Sequence, residues 1–414
     1  MKRIVVLFSL SLLLISKSKA QEEIEKYVKE NNIPINAISP DSTDYTDLSA
    51  FGNAVGDARV VMIGEQDHGD AAAFLAKSRL IKYLHEKKGF NVLAFESDFF
   101  TLNYGWEEAK VNKLRIDSFA KRSIYALWTM CSACSDLFYN YIPSTFEHGT
   151  PLQLSGFDPQ MGFHSATKKL DSVMRRLQLP DIQTEILINW VKHIKDTALN
   201  NQYLRELSRI RTELSTKVSK DDFWLLYIDN LVALDKNYTT TAYYERLKAR
   251  DEQMGKNLIW LLRHKYADQK VIVWAHNYHI SKDSGNYTNA SLNAASTMGS
   301  YFTSHTPDIK TYILGFTSYE GTSGRLYIGN KLGKKYKLDK PKTNSFENWI
   351  NPGYDFAFVD FQAFNSTHPA YREDFYLSGA VMGSLYHTSF KASWNNIFDG
   401  VFFIREMYPC EWIK

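Results

Sequence analysis

The feature that most constrains this chain is the alternation of short, β-rich apolar runs with long amphipathic stretches. After a helical lead over Glu22–Glu30, the run Arg59–Ile63 precedes Ala71–Lys88, where Phe74, Leu75, Leu80, Ile81 and Leu84 share one broad face. Asn91–Phe95 and Leu152–Phe157 follow, then a nearly unbroken helical pattern over residues 165–265, then Lys270–Ala275 and Thr311–Phe316. Shorter β-like runs alternate with loops over 324–405 and close with Gly400–Ile404. Strands joined through helices pair in parallel. The pattern therefore predicts an α/β fold: a largely parallel central sheet, helices on both faces, and an active-site cleft at the strand carboxyl ends. The block at 165–265, poor in Gly and Pro, reads as a helical insertion packed over the sheet and not as an independent domain. A chain of 414 residues, 44% hydrophobic, can bury a core of that size.

The first twenty residues read as an address. Lys2-Arg3 is a positive start, Ile4–Ile15 an apolar run, and Ser18-Lys19-Ala20 a small-x-small cleavage site. The apolar run is short for a membrane span, and no Cys follows Ala20 to carry a lipid. The expectation is a signal peptide over 1–20, an exported mature protein from residue 21 (periplasmic or secreted), and no stable membrane anchor after cleavage. The formal charge of +3 comes from 49 basic and 46 acidic residues. Subtracting Lys2, Arg3, Lys17 and Lys19 leaves 45 against 46, or −1. With no basic surplus the chain is not expected to bind nucleic acid.

Cys131, Cys134 and Cys410 are too few for a disulfide scaffold. Cys131-Ser132-Ala133-Cys134 has the spacing of a small local disulfide, with two buried thiols as the other reading. A zinc ribbon needs a second such pair, and the chain has none.

The residues that end the strands are unusually chemical. Arg59–Ile63 runs into Gly64-Glu65-Gln66-Asp67-His68-Gly69, Asn91–Phe95 into Glu96, Leu152–Phe157 into Asp158, and Lys270–Ala275 into His276. In an open α/β sheet, ligands bind beyond these ends. Taken singly, a Glu there usually caps the next helix and a His is usually a satisfied polar group. Together Glu65, His68, Glu96, Asp158 and His276 would converge on one rim. A neutral imidazole held by a carboxylate can take a proton from water, and crowded carboxylates shift one another's pKa. Water-attack hydrolysis of an ester fits that set. A serine nucleophile fits less well, because the chain has no Gly-x-Ser-x-Gly elbow. A metal-dependent hydrolase is the competing reading: Glu65, His68, Glu96, His276 and His279 are all legitimate ligands. No His-Glu-x-x-His exists, since His85-Glu86-Lys87-Lys88-Gly89 lacks the second His.

Gly64-Glu65-Gln66-Asp67-His68-Gly69 with Ala94-Phe95-Glu96-Ser97-Asp98 resembles the opening of the erythromycin esterase family. Gly156-Phe157-Asp158, Arg250-Asp251-Glu252-Gln253-Met254 with Asn257, and Trp274-Ala275-His276-Asn277-Tyr278-His279 resemble its later motifs in the same order, as do Met298-Gly299, Leu314-Gly315-Phe316 and the closing Phe398–Arg405. The likeness spans about 55–405. It implies hydrolysis of a macrolide-like lactone, with no cofactor and no metal. By the same resemblance His68 is the general base, Glu65 and Glu96 orient it and the water, and His276 polarises the ester carbonyl or stabilises the oxyanion. Lys77, Asp158, Arg250, Asn277 and His279 are the implied substrate-binding residues, with support of its own loop as the other reading for His279. Two departures bear on the substrate. Lys77 stands where the family often has Arg, which removes the bidentate fork. The stretch Trp128–Cys134 lacks the family's charged segment, which implies a different cleft wall. A non-enzymatic haem or small-molecule carrier is the third reading, because related folds include haem-binding lipoproteins.

Overall fold

The computed structural model describes residues 22–110, 116–160, 163–190, 194, 196–283, 296–326, 333–381 and 386–413. The expected signal peptide lies outside the described residues.

Eleven strands occur among them: β1 (Ile33–Pro34), β2 (Val60–Ile63), β3 (Phe90–Asp98), β4 (Gln153–Asp158), β5 (Lys270–Trp274), β6 (Thr311–Ser323), β7 (Tyr336–Lys337), β8 (Phe356–Asp360), β9 (Phe375–Ser378), β10 (Ser389–Ala392) and β11 (Gly400–Met407). The main sheet runs β1-β8-β11-β6-β2-β5-β3-β4, with β7 pairing β6; β9 and β10 form a separate antiparallel pair. The six strands from β11 to β4 are mutually parallel, while β8 meets β11 antiparallel. The mixed α/β architecture with a mostly parallel sheet is the one the alternation predicts.

Period-two alternation divides each central strand between two cores. Val61, Ile63, Leu93, Phe95, Ile272 and Trp274 face one side, with Phe74, Ile81 and Leu84 of helix α1 (Ala71–Lys88). Val60, Met62, Val92, Ala94, Val271 and Val273 face the other. Helix α1 stops at Gly89, whose φ of 74° sits in the left-handed region and whose N–H reaches the Leu84 carbonyl.

The helical block supplies α2 (Phe163–Arg176), α3 (Thr197–Ser215), α4 (Phe223–Thr239) and α5 (Tyr243–Trp260). Helix α5 sends Leu247, Met254 and Leu258 into the second sheet core. Leu170, Met174, Leu207, Ile210, Ile228 and Leu231 of α2–α4 form a third core of their own. Among the described residues no helix is long and apolar enough to cross a membrane.

Register determines where the strands end. Ile63 lies opposite Trp274 and Leu314, and Phe95 opposite Trp274 and Gly156. Whatever follows these residues therefore emerges on one edge. Strand β3 is irregular between Phe95 and Asp98, and Glu96 lies inside that irregularity; such a bulge re-aims a side chain. Gly156 permits it, because a Cβ there would lie 2.6 Å from the Asp98 carbonyl oxygen.

The cysteines depart from the sequence expectation of a local pairing. Cys131 is joined to Cys410 across 279 residues, and Cys134 is a buried free thiol. The pairing follows from the C-terminal segment, which returns across the molecule: Ser132 N–H donates to the Glu411 carbonyl (2.8 Å) and Ile413 N–H to the Met130 carbonyl (3.0 Å). No local spacing encodes such a return. Cys410→Ser is expected to lower unfolding stability by about 2–4 kcal/mol in a urea titration. Cys134 should resist alkylation until the chain unfolds.

Candidate active site

Three elements meet at the carboxyl edge: the turn after β2, the bulge of β3, and the short helix α6 (Asn277–Ile280) after β5. Glu65 is wholly buried and has a cationic or N–H partner on each oxygen. Its Oε1 faces His68 Nδ1 at 2.7 Å and accepts the Trp128 indole N–H at 3.2 Å; its Oε2 accepts from Lys77 Nζ at 2.7 Å. Burial alone would raise the Glu65 pKa, but Lys77 and His68 outweigh it and hold the carboxyl below its ordinary value. Burial pushes Lys77 down to about 8, against the pull of Glu65. The ammonium also lies 4.1 Å from the centroid of the Trp274 ring.

Lys77 is fully buried behind Glu65, so it cannot touch a substrate in this geometry. The substrate-binding role that the resemblance implies becomes one of fixing Glu65.

A second set surrounds Glu96. Arg250, from the middle of α5, donates through Nε and Nη2 to Asp158 (3.1 and 2.5 Å) and through Nη2 to Glu96 Oε1 (2.8 Å). Glu96 Oε2 accepts the His276 backbone N–H at 3.0 Å. Burial raises the Glu96 pKa, yet His279, Arg250 and His68 together drive it well below the ordinary range. His279 Nδ1 lies 2.7 Å from Asp251 Oδ1, and its Nε2 lies 3.3 Å from Glu96 and 3.2 Å from Arg250 Nη1. Burial disfavours its charge, but Asp251 and Glu96 prevail and push it up to about 9. His279 is then an imidazolium donating to both carboxylates, and the adjacent guanidinium is tolerated because Asp158, Glu96 and Asp251 supply three negative charges.

His276 is different. Its Nδ1 accepts the Tyr278 backbone N–H at 3.0 Å, so Nε2 carries the proton and donates to the Gln66 carbonyl at 2.7 Å. Burial, then repulsion from His68 and His279, lowers it to about 3. Both nitrogens are thus committed to main-chain groups, and the geometry suits neither the carbonyl-polarising nor the oxyanion-stabilising role implied by the resemblance. Asn277 is likewise occupied: it exchanges hydrogen bonds with both backbone groups of Phe316 and donates to Gly379. It ties α6 to β6 and is buried.

The structure therefore brings Glu65, His68, Lys77, Glu96, Asp158, Arg250, His276 and His279 into one cluster, with Asn277 at its back. Of the side chains around His68 and Glu96, those of His68 (14%) and Arg250 (10%) retain some exposure. His68 Nε2 sits 4.0 Å from Glu96 Oε1. The donor set does not favour a metal, because each carboxylate that would bind one is already neutralised by a buried protein cation. Trp128 and Asp251 were absent from the expected site residues. Asp251 adjoins Arg250 in the sequence and could have been proposed from that; no spacing signals Trp128.

A family model described as erythromycin esterase matches residues 85–407. The chain belongs to the erythromycin esterase family. The matched stretch holds Glu96, Asp158, Arg250, His276, Asn277 and His279, while Glu65, His68 and Lys77 precede it. A relative in Bacillus subtilis (strain 168), YbfO, named only as a hydrolase, is 26% identical, covering 78% of this chain and 80% of its own. Erythromycin esterase type II of Escherichia coli is also 26% identical, covering 82% and 88%. A histidine mutant of the erythromycin esterase EreC, solved in its open conformation, shares the fold with a TM-score of 0.66 at 18% identity, covering 90% and 96%.

The buried imidazolium yields a pH signature. His279 has a folded pKa of about 9, above its ordinary 6.5. Its contribution to stability is thus fully present below pH 6.5 and is lost as the pH rises through 9. Urea titrations of the native chain and His279→Gln should differ most below pH 6.5, by on the order of 3 kcal/mol, and converge above pH 9.

Proposed function

We propose that this chain is a carboxylic ester hydrolase that opens a macrolide-like lactone by attack of a water molecule, with no covalent serine intermediate. The observation that carries this reading is the placement of His68. Its Nδ1–H is directed at Glu65, which leaves the lone pair of Nε2 pointing toward Glu96 and the exposed edge of Arg250. A water within hydrogen-bond reach of Nε2 and of Glu96 Oε1 gives its proton to His68 as its oxygen bonds to the acyl carbon. The carbonyl oxygen becomes an oxyanion. Arg250 commits Nε and Nη2 to Asp158 and Glu96; its Nη1 lies 3.2 Å from His279 Nε2 and has a second hydrogen that can meet that oxyanion. When the C–O bond breaks, the leaving alkoxide takes the proton from His68, and the products are an alcohol and a carboxylic acid, which releases its remaining proton to solvent as it ionises.

The family membership supports hydrolase chemistry, and the name of the Escherichia coli relative supports a macrolide as substrate. The leader pattern over 1–20 and the Cys131–Cys410 crosslink support an exported location, since disulfides persist in oxidising compartments. The partner is then a small-molecule ester.

Residues 21–414 would be incubated with 14- to 16-membered macrolides, with and without chelator, and followed by mass spectrometry. Gain of one water is expected, indifferent to chelator. His68→Gln should lose turnover by ~10²-fold or more with the fold intact. Full turnover by folded His68→Gln would refute the assigned base, and loss to chelator would favour the metal-dependent alternative.

A further inference from the structure

Trp128 meets the proposed base without meeting solvent. It is 1% exposed, its ring stands edge-on to His68 (centroids 5.4 Å apart, planes at 82°), and its Nε1–H shares Glu65 Oε1 with His68. It lies in a single helical turn, Ala126–Thr129, too short to hold itself in place. The C-terminal segment provides the hold. Cys410 is bonded to Cys131, and Glu411 and Ile413 pair with Ser132 and Met130. The same segment grips the turn that carries His68: Cys410 N–H donates to the Gly69 carbonyl at 2.8 Å, and Ala71 N–H to the Tyr408 carbonyl at 2.9 Å. One six-residue strap thus sets the two turns against each other.

We infer that Trp128 is a positioning residue for the Glu65–His68 pair, and that the C-terminal strap closed by Cys131–Cys410 keeps it there. The role assigned to Trp128 rests on the reading of His68 as the base. Its indole N–H restrains Glu65 in the orientation that faces His68 Nδ1 and draws charge from the oxygen they share. Without that donor, more negative charge faces the imidazole, which binds its proton more tightly. The other groups around His68 remain in place: Glu96 from β3, His276 after β5, Lys77 of α1 beyond Glu65, Arg250 of α5 beyond Glu96, and the Asp67–Arg325 pair beside the turn.

The test is the titration of the His68 imidazole, followed by NMR in histidine-labelled protein, which needs no substrate. Trp128→Phe keeps an aromatic ring and removes the donor. Its His68 midpoint is expected to rise by about half a pH unit, roughly a threefold gain in proton affinity, and the acid limb of kcat/KM should move with it. A folded Trp128→Phe protein with an unmoved midpoint overturns the positioning role. Cys131→Ser/Cys410→Ser is expected to shift the midpoint the same way and to weaken the protection of the Trp128 indole N–H from exchange. A native midpoint and a protected indole in that variant overturn the role of the strap. Should Trp128→Phe not fold, the joint movement of the two signals in the cysteine variant decides the matter, and independent movement refutes it. If His68→Gln keeps its turnover, the reading of His68 has failed, a result distinct from an unmoved midpoint.

Discussion

Glu65, Glu96, Asp158 and Asp251 are all removed from water at one edge of the sheet, and an unpaired buried carboxylate costs several kcal/mol. Their neutralisation shapes what surrounds them. The cations come from opposite faces: Lys77 from α1, which packs on the first core, and Arg250 from α5, which packs on the second. Each reaches past the end of the sheet to the carboxylate nearest its own layer, and His279 closes the set between Glu96 and Asp251. Both helices are therefore docked by charge as well as by apolar contact.

The same arrangement separates three imidazoles that the sequence presents alike. His276 is surrounded by main-chain groups and other imidazoles and is held neutral, with its pKa lowered to about 3. His279 stands between two carboxylates and is pushed up to about 9. His68 keeps one nitrogen on Glu65 and the other toward the open side. Environments that drive like groups apart are how a site assigns distinct acid and base tasks. Here His276 ties together the turns after β2 and β5, His279 supplies fixed charge, and His68 commits only Nδ1, to Glu65.

The C-terminal strap adds a longer-range dependence. Residues 408–413 bind both the Gly69–Ala71 turn and the 130–132 turn, so the geometry around Glu65 is completed only by the last part of the chain. Trp128, Trp274 and Phe95 pack against one another beneath the cluster.

The sequence by itself determined the parallel core strands, the helix Ala71–Lys88 to the residue, and the fact that Glu65, Glu96, Asp158 and His276 each lie at the carboxyl end of a strand. These are local properties, written in apolar periodicity, in the glycine that ends α1 and in the order of the motifs. Tertiary structure alone decided what each of those side chains does. Lys77 lies behind Glu65 because α1 is tucked against the sheet, and His276 is occupied because the Gln66 carbonyl turns toward it. Cys131 joins Cys410 and not Cys134 because the chain end crosses back over the site. Hydrogen-bond partners, charge pairing and burial depend on contacts between residues tens to hundreds of positions apart, and no local spacing records them.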